Sequence, residues 1–465
     1  MNEFDLRGMQ AGDVARAVRS GELRATAIAE AQWAAIERDE PAHGAYIVQF
    51  RDESLRAAER LDTRVAAGES LGPLAGVPMA LKDIYDMNGV ATTAGMGIHR
   101  DSIAERDATV VTRLKQADAV ILGKVTLTEG VYAEHREAYP APINPWRADH
   151  WAGASSTGTG VAMAAGLAVA ALGSETGGSI KLPAAVNGVT AVKPTWSRVS
   201  RYGVFELAAT LDHAGPFARS VSDAATLLGV IAGSDPLDPT ASQVAVPDYS
   251  AAVTRGVGHL RIGIDSRWTG DSVDAETLAA LEAAVGVLAA AGATIEDIRV
   301  PDVSDMIWDW FGVCAAQTAL AHAETFPARR NEYGPALTQL LDMGNELSAT
   351  DYQKLLLRRE IFRGEMNALF TGIDLLAIPV LAFPAPSLER MAAVDDELIA
   401  GLHRFTCPFN MSGQPGIVLP CGFNSAGMPI VFQLVGRHFD EPSLFAAGGA
   451  YQAATDWHTR RPAEK

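Results

Sequence analysis

Hydrophobic and polar positions alternate along this chain with two periods, one typical of buried strands and the other of amphipathic helices. Residues 260–300 show the two periods in succession. A short apolar run over 260–264 predicts a buried strand, and Asp274 has the side chain that a helix N-cap prefers. The apolar positions that follow share one helix face: Leu278, Leu281, Val285 and Leu288. Gly292 then ends the helix, and residues 294–300 predict a second strand.

This succession of strand, helix and strand is a βαβ unit, which we expect to be right-handed. An earlier segment changes in the same way, because Val110 and Leu114 share a helix face ahead of a strand-like run over 119–122. Strands and helices alternate in this way without an internal repeat. The sequence therefore predicts an α/β fold.

Residues 303–370 interrupt this alternation and predict a mostly helical region. Three aromatic residues lie close together near its start: Trp308, Trp310 and Phe311. They either belong to a helical layer that covers the sheet, as most aromatic residues of large proteins belong to a core, or they form an apolar wall of a substrate pocket. The sequence leaves both interpretations open.

The chain of 465 residues carries a formal net charge of −18. An acidic surface repels the phosphates of nucleic acids and of anionic lipids, so we expect no direct nucleic-acid binding and no membrane docking. The N-terminus lacks the basic and apolar regions of a signal peptide, which favours a cytoplasmic protein. The longest apolar run, 161–173, is too short to cross a bilayer, and its Ala and Gly content predicts a tightly packed core helix.

Few residues suit a metal ion or a disulfide. The cysteines Cys314, Cys407 and Cys421 form neither a CxxC pair nor a disulfide framework, and each is expected to be a small buried hydrophobe. The ten histidines show no zinc-binding spacing, and no P-loop sequence is present. We therefore expect no metal and no cofactor.

Two clusters of small residues stand out between positions 153 and 193. The first is Gly-Ala-Ser-Ser-Thr-Gly at 153–158, and the second is Thr-Gly-Gly-Ser at 176–179. Glycines let the backbone approach a ligand closely, and successive N–H groups after them can point at one oxyanion. Ser179, which ends the second cluster, is therefore a candidate nucleophile.

A serine nucleophile needs a proton acceptor. None of the ten histidines stands in a recognisable arrangement with an acid and a serine, and a formal GxSxG at 68–72 lies in a polar turn with no strand before it. Lys82 ends an apolar run, where burial would lower its pKa from about 10.4 and let it accept a proton. The alternative for Lys82 is an ion pair with Asp83 at the end of a strand.

Together these segments resemble the amidase signature family over nearly the whole chain. The segments that carry the resemblance are GVPMALKD at 76–83, GASSTGTG at 153–160, GSETGGSIKLPA at 173–184, KPTWSRVSRYGV at 193–204, FTCPFNMSGQPGIVLPCGF at 405–423 and GMPIVFQLVGRHFDE at 427–441. Their shared order and spacing make the resemblance specific. It implies one amidase domain over residues 1–465, with a large mixed β-sheet surrounded by helices. Within this domain we expect the mostly helical region over about 303–370 to cover a pocket.

Members of this family use a Ser–cis-Ser–Lys triad. By motif position, the resemblance implies Ser179 as nucleophile, Ser155 as the serine after a cis peptide bond, and Lys82 as the base. It also implies an oxyanion hole made of backbone N–H groups from Thr176, Gly177, Gly178 and Ser179. Ser156, beside Ser155, is expected to make only structural hydrogen bonds.

The chain departs from the family pattern at several positions around these motifs. They are Ala154, Thr157 and Thr159 in the first cluster, and Glu175 and Lys181 around the second. No triad member is lost, but the substrate subgroup stays open.

The leading expectation is a stand-alone hydrolase of a small-molecule amide. Related members also cleave aryl acylamides, esters and carbamates, so an aryl acylamidase or a urethanase is an open branch. One alternative is the glutaminase subunit of a tRNA-dependent amidotransferase, which needs a partner protein. Another is a non-catalytic binding protein on the same scaffold. Dimers are common among such enzymes, so a homodimer is a further expectation, although no segment specifies an interface.

Overall fold

The computed structural model describes residues 6–463, and its centre is one sheet of eleven strands. The strands are β1 (Tyr46–Gln49), β2 (Pro78–Lys82), β3 (Val120–Val125), β4 (Ala170–Glu175), β5 (Thr190–Lys193), β6 (His213–Ala218), β7 (Arg261–Ile264), β8 (Thr294–Asp297), β9 (Leu375–Pro379), β10 (Gly416–Phe423) and β11 (Pro429–Gly436).

Helices surround this sheet. They are α1 (Ala11–Arg19), α2 (Ala25–His43), α3 (Arg51–Ala66), α4 (Thr109–Gln116), α5 (Thr157–Ala164), α6 (Lys181–Asn187), α7 (Val221–Ile231), α8 (Tyr249–Ala252), α9 (Ser266–Gly270), α10 (Ala275–Ala290), α11 (Met306–Ala321), α12 (Pro335–Glu346), α13 (Ala349–Gly372), α14 (Leu388–Ala392), α15 (Asp396–His403), α16 (Cys407–Ser412) and α17 (Glu441–Ala454). Five short 3₁₀ turns complete the regular elements of the described residues.

The sheet is mixed, with the strand order β1-β3-β2-β4-β6-β5-β10-β11-β9-β7-β8. Strand β2 runs parallel to β3 and β4, and β7 runs parallel to β8 and β9. The remaining neighbours are antiparallel. The predicted α/β class, a large mixed sheet surrounded by helices, is confirmed.

Two hydrophobic cores lie on the two faces of this sheet. Successive side chains of a strand point to opposite faces, and accordingly Leu81 belongs to one core while its neighbour Ala80 belongs to the other. Ile417 and Val418 divide in the same way. Helices α5 and α6 cover one face, whereas α7, α10 and α17 cover the other. Burial on both faces explains why the central strands are almost continuously apolar.

The βαβ unit predicted over 260–300 is present, with β7 and β8 paired in parallel. The Asp274 carboxylate caps α10, because its Oδ1 accepts from the N–H groups of Glu276 and Thr277. The second strand is shorter than predicted and ends at Asp297. Val300, which was expected in this strand, donates its N–H to the carboxylate of Asp265 instead.

The single core helix predicted over 161–173 is wrong. Helix α5 ends at Ala164, and strand β4 begins at Ala170. Between them Gly166 adopts a left-handed φ of 75°, and the Leu167 N–H donates to the Ala162 carbonyl at 2.8 Å. This is the hydrogen bond of a glycine-terminated helix, and pairing with β2 and β6 then makes the rest of the run a strand. In the described part of the chain, no helix has the length and apolarity that a membrane span requires.

Candidate active site

Lys82 and the first serine cluster meet at the carboxyl-terminal ends of two neighbouring strands of the sheet, β2 and β4. Because β2 and β4 run parallel, their carboxyl ends lie together, and these ends carry Lys82 and Glu175. Ser155 directly precedes the N-cap of α5, which packs against both strands. Lys82 Nζ lies 2.7 Å from Ser155 Oγ. The parallel direction of β2 and β4 therefore brings the motif of Lys82 close to the serine cluster, although the two are far apart in the sequence.

Lys82 is fully buried and contacts three hydroxyl groups. Its Nζ lies 2.7 Å from Ser155 Oγ, 3.0 Å from Ser156 Oγ and 2.9 Å from Ser174 Oγ. The alternative interpretation, an ion pair with Asp83, is wrong, since Asp83 pairs with Lys124 at 2.9 Å. No carboxylate of residues 6–463 forms an ion pair with Lys82.

Burial without a direct anionic partner favours the neutral amine. It lowers the pKa of Lys82 well below its usual value, while the charges of Asp212 and Glu175 act in the opposite direction. A neutral amine has two N–H donors and one lone pair, which matches three surrounding hydroxyl groups. Ser156 uses its own proton to donate to the Ser174 carbonyl at 3.0 Å. An amine in this neutral state can accept a proton.

The peptide bond between Ala154 and Ser155 is cis. Ser155 is fully buried, and Ser156 also accepts the N–H of Ser174 at 3.2 Å. Ser156 thus joins the start of α5 to β4, as expected, and contacts Lys82 in addition. Ser174 was not found from the sequence, because only the pairing of β2 with β4 brings it to Lys82.

The second cluster has its carbonyl groups occupied and its N–H groups free. The carbonyls of Thr176, Gly177 and Gly178 each accept a hydrogen bond. In contrast, the N–H groups of Gly177, Gly178 and Ser179 donate to no protein atom of residues 6–463. Unpaired N–H groups on consecutive residues in a largely buried loop can donate hydrogen bonds to an anion.

Ser179 is partly exposed, unlike its buried neighbours. Its carbonyl accepts the N–H of Ser156 at 3.4 Å, which brings the two clusters together. Within the described chain the Ser179 hydroxyl makes no hydrogen bond to protein, including Ser155. The hydroxyl therefore stands at an accessible place beside the free N–H groups.

Glu175 and Lys181, two of the departures from the family pattern, are partners. The Glu175 carboxylate accepts the N–H groups of Ile180 and Lys181, each at 3.0 Å, and pairs with Lys181 Nζ at 3.0 Å. Both side chains are fully buried. The loop that contains Ser179 is thus closed around one carboxylate.

Asp212 holds the same loop from another side, and no sequence pattern indicates this contact. It accepts the Thr176 hydroxyl at 2.6 Å and the N–H groups of Leu207 and Ala208. Burial raises the pKa of Asp212 to about 6. Asp212 lies in a long loop ahead of β6, so its contact with Thr176 depends on the tertiary fold.

The three aromatic residues of α11 have three different environments. Trp308 is 49% exposed, whereas Trp310 is only 4% exposed and donates its Nε1–H to the Thr176 carbonyl. Phe311 is half-buried and stacks on Trp308, with 5.9 Å between ring centroids. Trp310 therefore lies directly against the loop that carries Ser179.

No group of three or more His, Cys, Asp or Glu residues could hold a metal ion in the described part of the chain. The three cysteines are buried, as expected for small hydrophobic side chains, and are free thiols.

The chain is similar to known proteins over nearly its whole length. The family model described as Amidase matches residues 27–445. The chain is 43% identical to the putative amidase AmiD of Mycobacterium tuberculosis, over 99% of this chain and 97% of that protein. It is 36% identical to a glutamyl-tRNA(Gln) amidotransferase subunit of Chloroflexus aggregans, over 96% of each. A solved structure of 6-aminohexanoate cyclic dimer hydrolase with its substrate aligns with a TM-score of 0.90 at 28% identity, over 98% of this chain and 99% of that one.

Proposed function

Since this chain belongs to the amidase signature family, whose members hydrolyse amides, we propose that it cleaves the C–N bond of a small-molecule amide through an acyl-enzyme on Ser179. Lys82 and Ser155 move the proton in this proposal. The observation that carries it is the buried Lys82 amine surrounded by three hydroxyl groups, with a lowered pKa. A lysine in that state suits a general base near neutral and alkaline pH.

In the first step, Ser179 Oγ bonds to the carbonyl carbon of the amide. The π electron pair of the carbonyl moves to its oxygen, and the Ser179 proton passes to Ser155 while Ser155 gives its own proton to neutral Lys82. Ser155 can do this because its Oγ lies 2.7 Å from Lys82 Nζ. The approach of substrate brings the Ser179 and Ser155 hydroxyls into contact, since catalytic hydrogen bonds often tighten only in the complex.

The oxygen of the tetrahedral intermediate then faces the free N–H groups of Gly177, Gly178 and Ser179. Each donor of this kind contributes about 3–4 kcal/mol of transition-state stabilisation. We propose these three, together with the N–H of Thr176 that the family resemblance also implies, as the oxyanion hole.

Collapse of the intermediate breaks the C–N bond, and the nitrogen takes a proton back from Lys82 through Ser155. This leaves an ester of Ser179, a free amine and neutral Lys82. Water then adds to the ester carbon while the same relay accepts its proton. Collapse of this second intermediate breaks the bond to Ser179 Oγ, which takes the proton back from Lys82 through Ser155, and releases the carboxylic acid. The cycle needs no metal and no cofactor.

The same addition suits carbamates and esters, whose carbonyls accept the same nucleophile, so the pocket decides among them. Phe311 and Trp308 are the aromatic residues that we propose for a substrate wall, because Phe311 is half-buried beside Trp310. Trp310 is left out of this wall, since it is 4% exposed and its Nε1–H is bonded to the Thr176 carbonyl. We propose that residues 303–370 cover the pocket and that the whole chain forms one amidase domain.

A panel of substrates tests this proposal. It contains a primary aliphatic amide, glutamine, a nitroanilide and an aryl carbamate, each offered to the wild type and to Ser179→Ala. We expect the wild type to hydrolyse at least one amide, and Ser179→Ala to lose more than about a thousandfold in kcat. Equal activity in both proteins would rule out Ser179 as nucleophile. Labelling of Ser179 by a reactive phosphonate distinguishes an inactive binding protein from an enzyme with an untested substrate.

A glutaminase subunit of an amidotransferase is the second candidate, favoured by the 36% identity to an amidotransferase subunit from Chloroflexus aggregans. That function requires glutamine as substrate and a partner protein. Hydrolysis of glutamine in preference to the anilide and the aliphatic amide would select it. Hydrolysis of unrelated amides by the isolated chain, with none of glutamine, would select the stand-alone amidase.

A further inference from the structure

The loop that contains Ser179 is held by donors from two distant parts of the chain. Trp310 on α11 donates its Nε1–H to the Thr176 carbonyl at 2.8 Å. Thr406, just before α16, donates its hydroxyl to the Gly177 carbonyl at 2.6 Å. Trp310 is 4% exposed and Thr406 is fully buried. Both hydrogen bonds are therefore shielded from water and keep their strength.

These two bonds determine the direction of the neighbouring N–H groups. A peptide unit is planar and trans, so the C=O of one residue and the N–H of the next point in opposite directions. The bond from Trp310 consequently turns the Gly177 N–H away from the tryptophan. The bond from Thr406 turns the Gly178 N–H away from the threonine in the same way. Both N–H groups are without an acceptor among residues 6–463.

The glycines at these positions leave the space that the two donors occupy. A Cβ atom on Gly177 would lie 2.3 Å from the Trp310 ring, and one on Gly178 would lie 2.9 Å from Thr406 Oγ1. Gly178 also has a φ of 149°, which side chains of other residues rarely allow. The two glycines and the two donors thus fit each other as pairs.

Building on the proposed function, we infer that Trp310 and Thr406 are positioning residues of the oxyanion hole. They act through the Thr176 and Gly177 carbonyls and touch no reacting atom. When Ser179 Oγ bonds to the substrate carbon, the carbonyl oxygen gains an electron pair and a negative charge. The directions of the N–H groups matter most at that moment, so loss of either donor lowers kcat and leaves KM almost unchanged.

Three variants separate the hydrogen bond from the packing. Trp310→Phe keeps an aromatic ring against Gly177 but removes the N–H donor. Thr406→Val keeps the shape of the side chain but removes the hydroxyl, and Thr406→Ser restores it. The thiol of Cys407, a weaker donor, lies 3.3 Å from the same Gly177 oxygen, so the effect of Thr406→Val is expected to be the smaller one.

Trp33→Phe is a matched control. Trp33 is 1% exposed, and its Nε1–H donates to Ser54 Oγ at 2.7 Å where α2 packs on α3. The control therefore loses the same kind of buried hydrogen bond in a part of the molecule that does not contact the Ser179 loop. Any general loss of stability appears in both tryptophan variants.

The measurements are kcat and KM for the most rapidly cleaved amide of the panel, together with inhibition by trifluoroacetophenone. This activated ketone adds to a serine hydroxyl: an O–C bond forms, the carbonyl π pair moves to oxygen, and the serine proton passes to the lysine relay. The adduct thus places an alkoxide at the position of the oxyanion. We expect Trp310→Phe to lower kcat by about tenfold to a hundredfold and to weaken ketone inhibition by the same factor.

Thr406→Ser is expected to regain most of the activity that Thr406→Val loses, and Trp33→Phe is expected to change only the melting temperature. If the wild type hydrolyses the amide but Trp310→Phe and Thr406→Val keep its kcat and its ketone inhibition, the positioning role is wrong and the proposed function stands. Equal loss of kcat in Trp33→Phe would also overturn it. If the wild type neither hydrolyses an amide nor binds the ketone at Ser179, both proposals fail.

Discussion

Lys82 differs from the buried Lys124 and Lys181, which pair with carboxylates, because its own contacts are hydroxyl groups. The carboxylates of Asp212 and Glu175 act on it only through space, and both raise its pKa against the larger effect of burial. Proton acceptance therefore becomes more favourable as the pH rises through the lowered pKa of Lys82. We propose that hydrolysis follows this titration and increases from acidic towards alkaline pH.

Asp212→Asn tests this electrostatic arrangement. Above about pH 6 the Asp212 carboxylate is charged and raises the pKa of Lys82. Removing that charge lowers the pKa of Lys82 further, so the acidic limb of kcat/KM against pH is expected to move to lower pH. The maximal rate should also fall, because the amide side chain cannot accept both the Thr176 hydroxyl and the two N–H groups that Asp212 now accepts.

Asp223→Asn is the control for this pH profile. The Asp223 carboxylate is also buried and accepts two backbone N–H groups, those of Ala11 and Gly12, but it does not act on Lys82. Each variant is expected to lose about 1.5–3 kcal/mol of folding free energy. Only Asp212→Asn should shift the acidic limb. A shift of equal size in both variants, or one to higher pH, would contradict the role assigned to Asp212.

Several residues at this site could be identified from the sequence and several could not. Ser155, Ser179 and Lys82 lie in motifs with fixed order, so their candidacy follows from the chain itself. Asp212 and Thr406 were missed as candidates, because each reaches the loop through a contact between segments far apart in sequence. Residue type alone does not separate such contacts from ordinary surface aspartates and threonines.

Among the elements, α11 matters most because it connects the helical region to the Ser179 loop. It packs closely on α12, where Gly344 lies so near to α11 that a Cβ atom would be 2.0 Å from the Ala315 carbonyl oxygen. A larger residue at this crossing must push the two helices apart. Since Trp310 belongs to α11, such a shift also reaches the Thr176 carbonyl.

Gly344→Ala is therefore expected to destabilise the protein by about 1–3 kcal/mol and to lower activity. The matched control is Gly364→Ala on α13, where the added Cβ meets no atom within 4 Å. Gly364→Ala is expected to stabilise the helix by about 0.5–1 kcal/mol with unchanged activity. Denaturant unfolding and kcat for the same amide measure both effects. A harmless Gly344→Ala would show that α11 and α12 separate without cost.

Helices and strands were predicted best where the apolar residues of a segment follow a single period. The βαβ unit at 260–300 has both a capped amphipathic helix and short apolar runs, and its strands and helix are present with one strand shortened. The single helix predicted over the apolar run 161–173 was wrong because Ala and Gly suit both a helix and a fully buried strand. The division of this run into α5 and β4 depends on Gly166 and on the pairing of β4 with β2 and β6, neither of which is adjacent to β4 in the sequence.

For the whole molecule, strand order determines which parts of the chain depend on each other. The short strand β5 (Thr190–Lys193) pairs with β6 on one side and with β10 (Gly416–Phe423) on the other. More than two hundred residues separate β5 from β10 in the sequence. Pairing across such a distance joins the two halves of the chain in one sheet, and no length or composition signal predicts it.

We therefore expect the chain to unfold as one unit, in agreement with the single domain proposed over its length. Removing either half would expose the edge of β5 or β10 and the cores on both faces, so neither half should be stable alone. Urea unfolding followed by far-UV circular dichroism and by tryptophan fluorescence should give coincident transitions, because the eight tryptophans that fluoresce are distributed over both halves of the sequence. Limited proteolysis should yield no stable fragment ending between β6 and β7. Two separated transitions, or a folded N-terminal fragment of that size, would instead mean that strands β1–β6 form an independent domain and that the β5–β10 pairing is a docking contact.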